Sequence, residues 1–272
     1  MKRIEQFATN RPIVFSFIIT FVFILIVVVS TILGNLWPGE ESYGQPGSIL
    51  GRLISIVILL ILLSRLGWLQ SAGLTMLGKS GIWAISVLLL LYSVAILNYA
   101  LTGRFDLGFS SNVPPVLVTL FILTEALLEN VIFRGLILQT LVRAWGSIRI
   151  GIIKSAVVSA LFFGSIHLLD FLGGRPLSAI FLQSLEAFFL GIVLGVLVLS
   201  GRSIYPAVAL HGILNLSAYL LYGSSGSEPV LSVWLLSMLL MIPPAVFGLY
   251  LLNTSYQTLS SKQPTSNIRE AL

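Results

Sequence analysis

The chain contains two histidines, and each lies in a long apolar segment with a companion four residues away. Phe163 lies four residues before His167, which places both on one face of a helix. The same spacing joins His211 to Asn215. A third apolar segment carries Glu129. Ionisable groups at membrane depth cost about 3 kcal/mol each on insertion scales, so their presence there indicates function. A carboxylate, two imidazoles and an amide are groups that can activate water for hydrolysis.

Each of these groups has a chemical role that suits hydrolysis. Glu129 can take a proton from water and return it to a leaving amine. The two histidines can orient that water, bind a metal ion or stabilise an oxyanion, and the Asn215 amide can donate to an oxyanion. A structural interpretation stays open, because a histidine in an apolar helix can be a packed residue that is hydrogen-bonded across a helix interface.

Further charged and polar residues surround Glu129 in the sequence. Asn130 and Arg134 are four apart and share a face, whereas Glu129 and Arg134 are five apart and point about 140° from each other. A guanidinium at this depth needs an acceptor. Glu186, in a later apolar segment, either neutralises Arg134 or is a second functional acid. Glu125 lies one turn from Glu129 and is equally consistent with a role in packing.

The composition predicts a polytopic membrane protein with an all-α fold. Of its residues 57% are hydrophobic and 9% are charged, against about 25% charged in soluble domains. The apolar segments lack the alternation of membrane strands, and the absence of cysteine excludes disulfides and thiolate sites. A transmembrane bundle of about eight helices is expected. The predicted spans are 12–33, 49–66, 82–101, 115–139, 150–170, 177–200, 204–222 and 230–252.

The distribution of polar residues divides the chain. Residues 1–114 are predicted to form an apolar scaffold, 115–252 a functional helical bundle, and 253–272 a polar tail. The basic residues collect in alternate loops, which places both termini in the cytoplasm by the positive-inside rule. The net charge of +5 is therefore explained by topology, and no nucleic-acid partner is expected. The lipid bilayer is the expected environment, and the oligomeric state is left open.

Three motifs follow one another on successive polar spans. They read Glu129-Asn130-x-x-x-Arg134, Phe163-x-x-x-His167 and His211-x-x-x-Asn215. Together they resemble the CPBP family (the CAAX-protease and bacteriocin-processing, or Abi, family), whose motifs are Glu-Glu-x-x-x-Arg, Phe-x-x-x-His and His-x-x-x-Asn. The resemblance covers about residues 120–222. One position departs from the family pattern, because Asn130 replaces the second glutamate.

The resemblance implies an intramembrane endopeptidase of the plasma membrane of a bacterium. In the family the first glutamate activates water, so the implied catalytic residues are Glu129, His167, His211 and Asn215. The residues expected to support them are Asn130, Arg134, Phe163 and Glu186. The cofactor is left open: either a divalent metal such as zinc, held by Glu129, His167 and His211, or none. The implied substrate is a membrane-anchored peptide or protein, either a prenylated CAAX type or a bacteriocin leader.

Two other functions are compatible with the sequence. The chain could be a non-catalytic membrane scaffold or a bacteriocin self-immunity protein that keeps the fold. It could also be a transporter that uses Glu129, Arg134 and the histidines as a relay. Because Asn130 cannot neutralise Arg134, our hypothesis is that Asn130 accepts one hydrogen bond from it and that Glu186 or Glu125 supplies the charge.

Overall fold

A computed structural model describes residues 2–35, 45–78, 82–84, 86–87, 114–220 and 231–260. Within these ranges every regular element is helical, which confirms the predicted all-α fold. The α-helices are α1 (Lys2–Asn10), α2 (Pro12–Asn35), α3 (Pro46–Leu66), α4 (Pro115–Asn130), α5 (Gln139–Trp145), α6 (Arg149–Ile166), α7 (Leu177–Gly201), α8 (Tyr205–Ala218) and α9 (Leu231–Ser260). Helix α9 therefore continues into the segment that was predicted to be a polar tail.

Six helical stretches in the described residues are long and apolar enough to cross a membrane. They are Pro12–Gly34, Pro46–Leu66, Pro115–Trp145, Arg149–Leu172, Leu177–Gly201 and Trp234–Thr254. These six match predicted spans, as expected for an integral membrane protein. The predicted span 82–101 lies almost wholly outside the described residues. The predicted span 204–222 also runs past them. Helix α8 lies within this predicted span and comprises 14 residues. Its length of about 21 Å is less than the thickness of a hydrocarbon core, which is about 30 Å.

The third of these stretches is one unbroken helix with an irregular centre. Helix α4 passes into a π-helical stretch, Val131–Leu138, which leads directly into α5. All eight residues of the π-helical stretch are buried. Such stretches are rare inside α-helices and are frequently found at functional sites. The predicted span ended near residue 139, whereas the helix ends at Trp145.

Helices α6 and α7 pack closely because glycines line their contact. A Cβ atom on Gly191 would lie 3.0 Å from the Cβ of Ala160 and 3.2 Å from the ring of Phe163. A Cβ atom on Gly164 would lie 2.7 Å from the backbone oxygen of Ser184. The glycine side of α7 therefore fixes the position of the α6 residues that precede His167.

Helix α8 runs antiparallel to α4. Its Gly212 lies against Leu123 and Ala126, and Tyr219, one residue beyond its end, packs with Val118. This pairing sets His211 beside the end of α4, where the π-helical stretch begins. The outer surfaces of α2 and α3 carry exposed apolar side chains suited to lipid contact, including Phe17, Phe21, Leu50, Val57 and Ile58.

Candidate active site

His211 lies at the centre of a polar cluster between α4 and α8. Its Nε2 atom is 3.5 Å from Oε2 of Glu129 and 3.2 Å from the amide of Asn215. Its Nδ1 atom is 3.2 Å from the Nδ2 atom of Asn130. Glu129, Asn130 and His211 are all buried. The structure thus brings Glu129, His211 and Asn215 together, as the motif spacing predicted for the last two.

The contacts of Asn130 determine which ring nitrogen of His211 carries the proton. The Nδ2 group of Asn130 also donates to the backbone oxygen of Ala126 at 2.8 Å, and that oxygen can only accept. The amide is therefore fixed with its N–H groups toward Ala126 and His211. Nδ1 of His211 must accept, so the neutral ring carries its proton on Nε2, facing Glu129. The Asn215 atom that lies 3.2 Å from Nε2 is the amide nitrogen Nδ2, and two donors cannot bond each other. With the proton on Nε2, the Asn215 amide must therefore turn over, which brings its oxygen to the ring and leaves its nitrogen for another acceptor.

The ring of Phe163 connects the remaining motif residues. It forms edge-on contacts with the rings of His167 and His211, with centroid distances of 5.6 and 5.5 Å. The guanidinium carbon of Arg134 lies 4.2 Å from the Phe163 ring centroid, a cation–π contact. The Phe163 ring therefore packs against both imidazoles and against the guanidinium of Arg134. This explains the role of Phe163, which carries no polar chemistry of its own.

The observed helix boundaries bring the estimated depths of Glu129 and His167 close together. A predicted span that ended at residue 139 would put Glu129 about 15 Å from that end, well short of the level of His167. Because the helix reaches Trp145, Glu129 lies about 24 Å from its end. His167 lies about 27 Å from the start of α6 at Arg149. Counted along the two helices, the longer helix therefore removes most of the mismatch that the predicted boundary implied.

His167 is held by residues that the motifs do not contain. It begins a 3₁₀ turn, His167–Gly173, at the end of α6. Its Nδ1 atom lies 3.2 Å from the Nε2 group of Gln183 on α7. The Oε1 atom of Gln183 accepts from Nη1 of Arg175, and Nη1 also lies 2.8 Å from Oδ2 of Asp170. No sequence signal links Gln183 to His167, because the contact arises from the packing of α7 on α6.

Arg134 does not make the contacts predicted for it. Within the described part of the chain, its Nη1 and Nη2 atoms are buried and have no hydrogen-bond partner. Glu125 instead pairs with Arg52 of α3 at 3.4 Å, and Glu186 hydrogen-bonds Ser237 of α9. The hypothesis that Glu186 or Glu125 takes over the pairing was therefore wrong. Arg52 also lies on the ring of Phe121 and was not singled out from the sequence.

The π-helical stretch explains why Asn130 does not reach Arg134. Residues four apart stack only in an α-helix, whereas a π-helix joins residues five apart. Arg134 lies inside this stretch, which begins immediately after Asn130. The residue five positions before Arg134 is Glu129, and the two charges interact electrostatically. The angle of about 140° expected between them for an ideal α-helix therefore does not apply.

The three possible metal ligands are not grouped as a metal site. In the described ranges, no three His, Asp or Glu side chains are grouped closely enough to hold a metal ion. Of the two alternatives that the sequence left open, a divalent metal such as zinc or none, the grouping of Glu129, His167 and His211 around a metal is therefore not seen among these residues. The physical reason lies at His211, where Nδ1 faces Asn130 and Nε2 faces Glu129 and Asn215. A metal would have to displace one of these contacts.

Comparison with known proteins assigns this region to a family. Residues 111–217 match the family described as Type II CAAX prenyl endopeptidase Rce1-like. The matched region contains all three motifs and the whole polar cluster, but it excludes α1, α2 and α3. A search of curated proteins finds no match to the chain. Residues 111–217 of this integral membrane protein therefore form an Rce1-like domain of the type II CAAX prenyl endopeptidase (CPBP/Abi) family.

Proposed function

We propose that the chain is an intramembrane endopeptidase in which Glu129 activates the attacking water. The observation that carries the proposal is the 3.5 Å contact between Oε2 of Glu129 and Nε2 of His211, in a buried cluster completed by Asn215. A buried carboxylate beside a hydrogen-bonded imidazole is a typical arrangement for general-base chemistry. The family match of the same residues supports this assignment.

The proposed reaction is the addition of water to a peptide carbonyl. Glu129 takes a proton from the water as its oxygen bonds to the carbonyl carbon, and the carbonyl oxygen becomes an oxyanion. When the carbon–nitrogen bond breaks, the same proton passes from Glu129 to the leaving amine. The Nε2–H of His211 donates to the Glu129 carboxylate and keeps it oriented toward the water. The products are a new carboxylate and a new amine.

Two donors are available for the oxyanion. The amide nitrogen of Asn215 becomes available once the amide turns over, and its oxygen then shares the single Nε2–H of His211 with Glu129. His167 also contacts the Phe163 ring, and because Gln183 binds its Nδ1 atom, its Nε2–H is the second proposed donor. Loss of one oxyanion donor costs roughly 10² to 10³ in kcat. Asn130, Arg134 and Phe163 support the site by holding the two imidazoles.

The proposed substrate is a peptide or protein anchored in the same membrane. A site about 24 Å from the end of its helix, among helices with apolar outer surfaces, suits a substrate that enters from lipid. A prenylated CAAX-type chain and a bacteriocin or leader peptide both have this property. The chain is proposed to lie in a bacterial plasma membrane with both termini in the cytoplasm, as the basic loops indicate. The proposed domain division is a scaffold (1–114), a catalytic bundle (115–252) and a tail (253–272), whose first residues continue helix α9.

Peptide-end profiling tests this function and identifies the substrate in the same experiment. Membranes that contain the wild-type chain are compared with membranes that contain Glu129→Gln at a matched level. We expect new N-terminal and C-terminal peptide ends only with the wild type, and those ends name the substrate and the bond. Identical profiles, with Glu129→Gln still complementing a deletion phenotype, would establish the non-catalytic scaffold or immunity function instead.

A further inference from the structure

The contacts of His167 define the side of its ring that faces the active site. Its Nδ1 atom is 3.2 Å from the Nε2 group of Gln183, so only Nε2 of the ring is directed elsewhere. Phe163 packs edge-on against this ring at 5.6 Å and against the ring of His211 at 5.5 Å. The proton state of Nε2 therefore decides whether His167 offers a donor or an acceptor to a substrate.

Arg175 fixes the orientation of the Gln183 amide. A guanidinium has donors only, so the atom of Gln183 that meets Nη1 of Arg175 must be the amide oxygen. The amide nitrogen of Gln183 is then the group that faces His167 and donates to Nδ1. Asp170 binds the same Nη1 atom of Arg175 at 2.8 Å and holds the guanidinium in place.

We propose that Gln183 is a positioning residue: held by Arg175, its amide places the single ring proton of His167 on Nε2. His167 then acts as a neutral donor toward the oxyanion. A protonated ring would set an N–H group against the N–H of Gln183, so the contact also disfavours the imidazolium. The donor role rests on the proposed hydrolysis, whereas the location of the proton does not.

The arrangement parallels the one at His211 but uses different helices. At His211 the amide of Asn130 on α4 is fixed by a backbone oxygen. At His167 the amide of Gln183 on α7 is fixed by a charged side chain. In both cases an amide donates to Nδ1, so the N–H at Nε2 is the donor that the ring offers to the active site. Both imidazoles are thus prepared as Nε2 donors by amides that the family pattern does not contain, since Asn130 replaces a motif glutamate and Gln183 lies outside the motifs.

Nitrogen NMR of the full chain in detergent micelles tests the proposal directly. Because the chain has two histidines, histidine-selective ¹⁵N labelling gives two ring systems, which His167→Gln and His211→Gln assign. In the wild type we expect His167 with Nδ1 unprotonated and Nε2 protonated. Gln183→Glu has the same shape but presents a carboxylate, so it should move the proton to Nδ1. A wild-type ring with Nδ1 protonated, or a ring that Gln183→Glu leaves unchanged, would overturn the proposal.

Matched variants separate positioning from general structure. Ser184→Ala removes a buried hydroxyl from the adjacent position of α7 that has no hydrogen-bond partner among the described residues, and it should leave the His167 tautomer unchanged. If Gln183→Glu does not fold, Gln183→Met keeps the length and removes the donor. It should then give a mixture of tautomers, and a ring that stays wholly Nε2-protonated would contradict the proposal.

The activity measurement distinguishes this proposal from the proposed function. Once a cleaved peptide is known, Gln183→Glu should lower its kcat by on the order of 100-fold, with KM little changed, because the oxyanion loses a donor. If the wild-type chain cleaves no peptide, the proposed function is refuted, whereas the NMR result on the His167 tautomer still holds. If the Gln183→Glu variant cleaves the peptide at the wild-type rate, the role of His167 as a donor is refuted.

Discussion

The amide of Asn130 lies 3.2 Å from Nδ1 of His211 and donates to it. Its second N–H bond goes to the backbone oxygen of Ala126, so the amide cannot turn over without losing that bond. The position that departs from the family pattern is thus in direct contact with the imidazole that is proposed to orient Glu129. A carboxylate here would accept a hydrogen bond from Nδ1–H, so the ring would carry its proton on Nδ1 instead of Nε2.

Asn130→Asp should therefore reverse the His211 tautomer while it preserves the shape of the side chain. With Nε2 unprotonated, the ring no longer donates to Glu129, and we expect cleavage to fall by roughly 100-fold or more, since a wrong tautomer can cost up to about 10⁴. The measurements are the cleavage rate and the ¹⁵N spectrum of His211. A variant with wild-type cleavage and an unprotonated Nδ1 would contradict this account.

Arg134 is expected to matter for activity more than for stability. Its two buried guanidinium nitrogens have no hydrogen-bond partner among the described residues. Each such nitrogen lowers the folding stability by about 1–3 kcal/mol, and together they outweigh the cation–π contact with Phe163, which contributes about 2 kcal/mol. Arg134→Met should leave the thermal unfolding midpoint in detergent unchanged or raised. Cleavage should fall on the order of tenfold, because Glu129 loses the positive charge beside it. Arg134→Lys, which keeps a charge, should retain more activity, and a large loss of stability in Arg134→Met would refute the argument.

The glycines of α7 give a matched pair of packing variants. Gly191→Val sets side-chain carbons against Ala160 and Phe163, where a Cβ alone would already lie 3.0 to 3.2 Å away. We expect a loss of about 1–3 kcal/mol in unfolding free energy and a loss of cleavage. Gly195→Ala meets only Leu138, at 3.8 Å, and should keep or raise the unfolding midpoint. Equal effects of the two variants would show that α7 does not fix the position of Phe163.

The proposed orientation can be measured because the chain has no cysteine. Arg149→Cys and Ser178→Cys place one exposed thiol at the start of α6 and one at the start of α7. The positive-inside rule predicts that a membrane-impermeant maleimide labels Ser178→Cys on intact cells. Arg149→Cys should be labelled only after permeabilisation. The opposite labelling pattern would show that the termini lie outside.

Local spacing predicted the parts of the site that lie within one regular helix. His211 and Asn215 are in contact, and Phe163 packs on His167, because four residues make about one turn of an α-helix. The same rule failed for Asn130 and Arg134. They are separated by the start of a π-helical stretch, Val131–Leu138, and the spacing of its residues gives no signal for it.

Residues that reach the site through packing could not be predicted from the sequence. Gln183 meets His167 because α7 crosses the end of α6 on glycine contacts. Arg52 meets Glu125 because α3 packs beside α4, outside the region matched by the family. Neither residue is placed by periodicity. The apolar spans were predicted well because length and hydropathy alone define them, whereas the end of the span that carries Glu129 moved from residue 139 to Trp145.

The central claim is that Glu129 activates water, and cleavage by the purified chain in lipid vesicles tests it most directly. The substrate is the peptide that profiling identifies, and the variants are Glu129→Gln and, as a matched control, Glu186→Gln. Glu186 is also a helix-borne carboxyl, but it contacts Ser237. We predict that Glu129→Gln stays folded and loses cleavage by on the order of 100-fold or more, while Glu186→Gln cleaves like the wild type. Cleavage by Glu129→Gln at the wild-type rate would contradict the account.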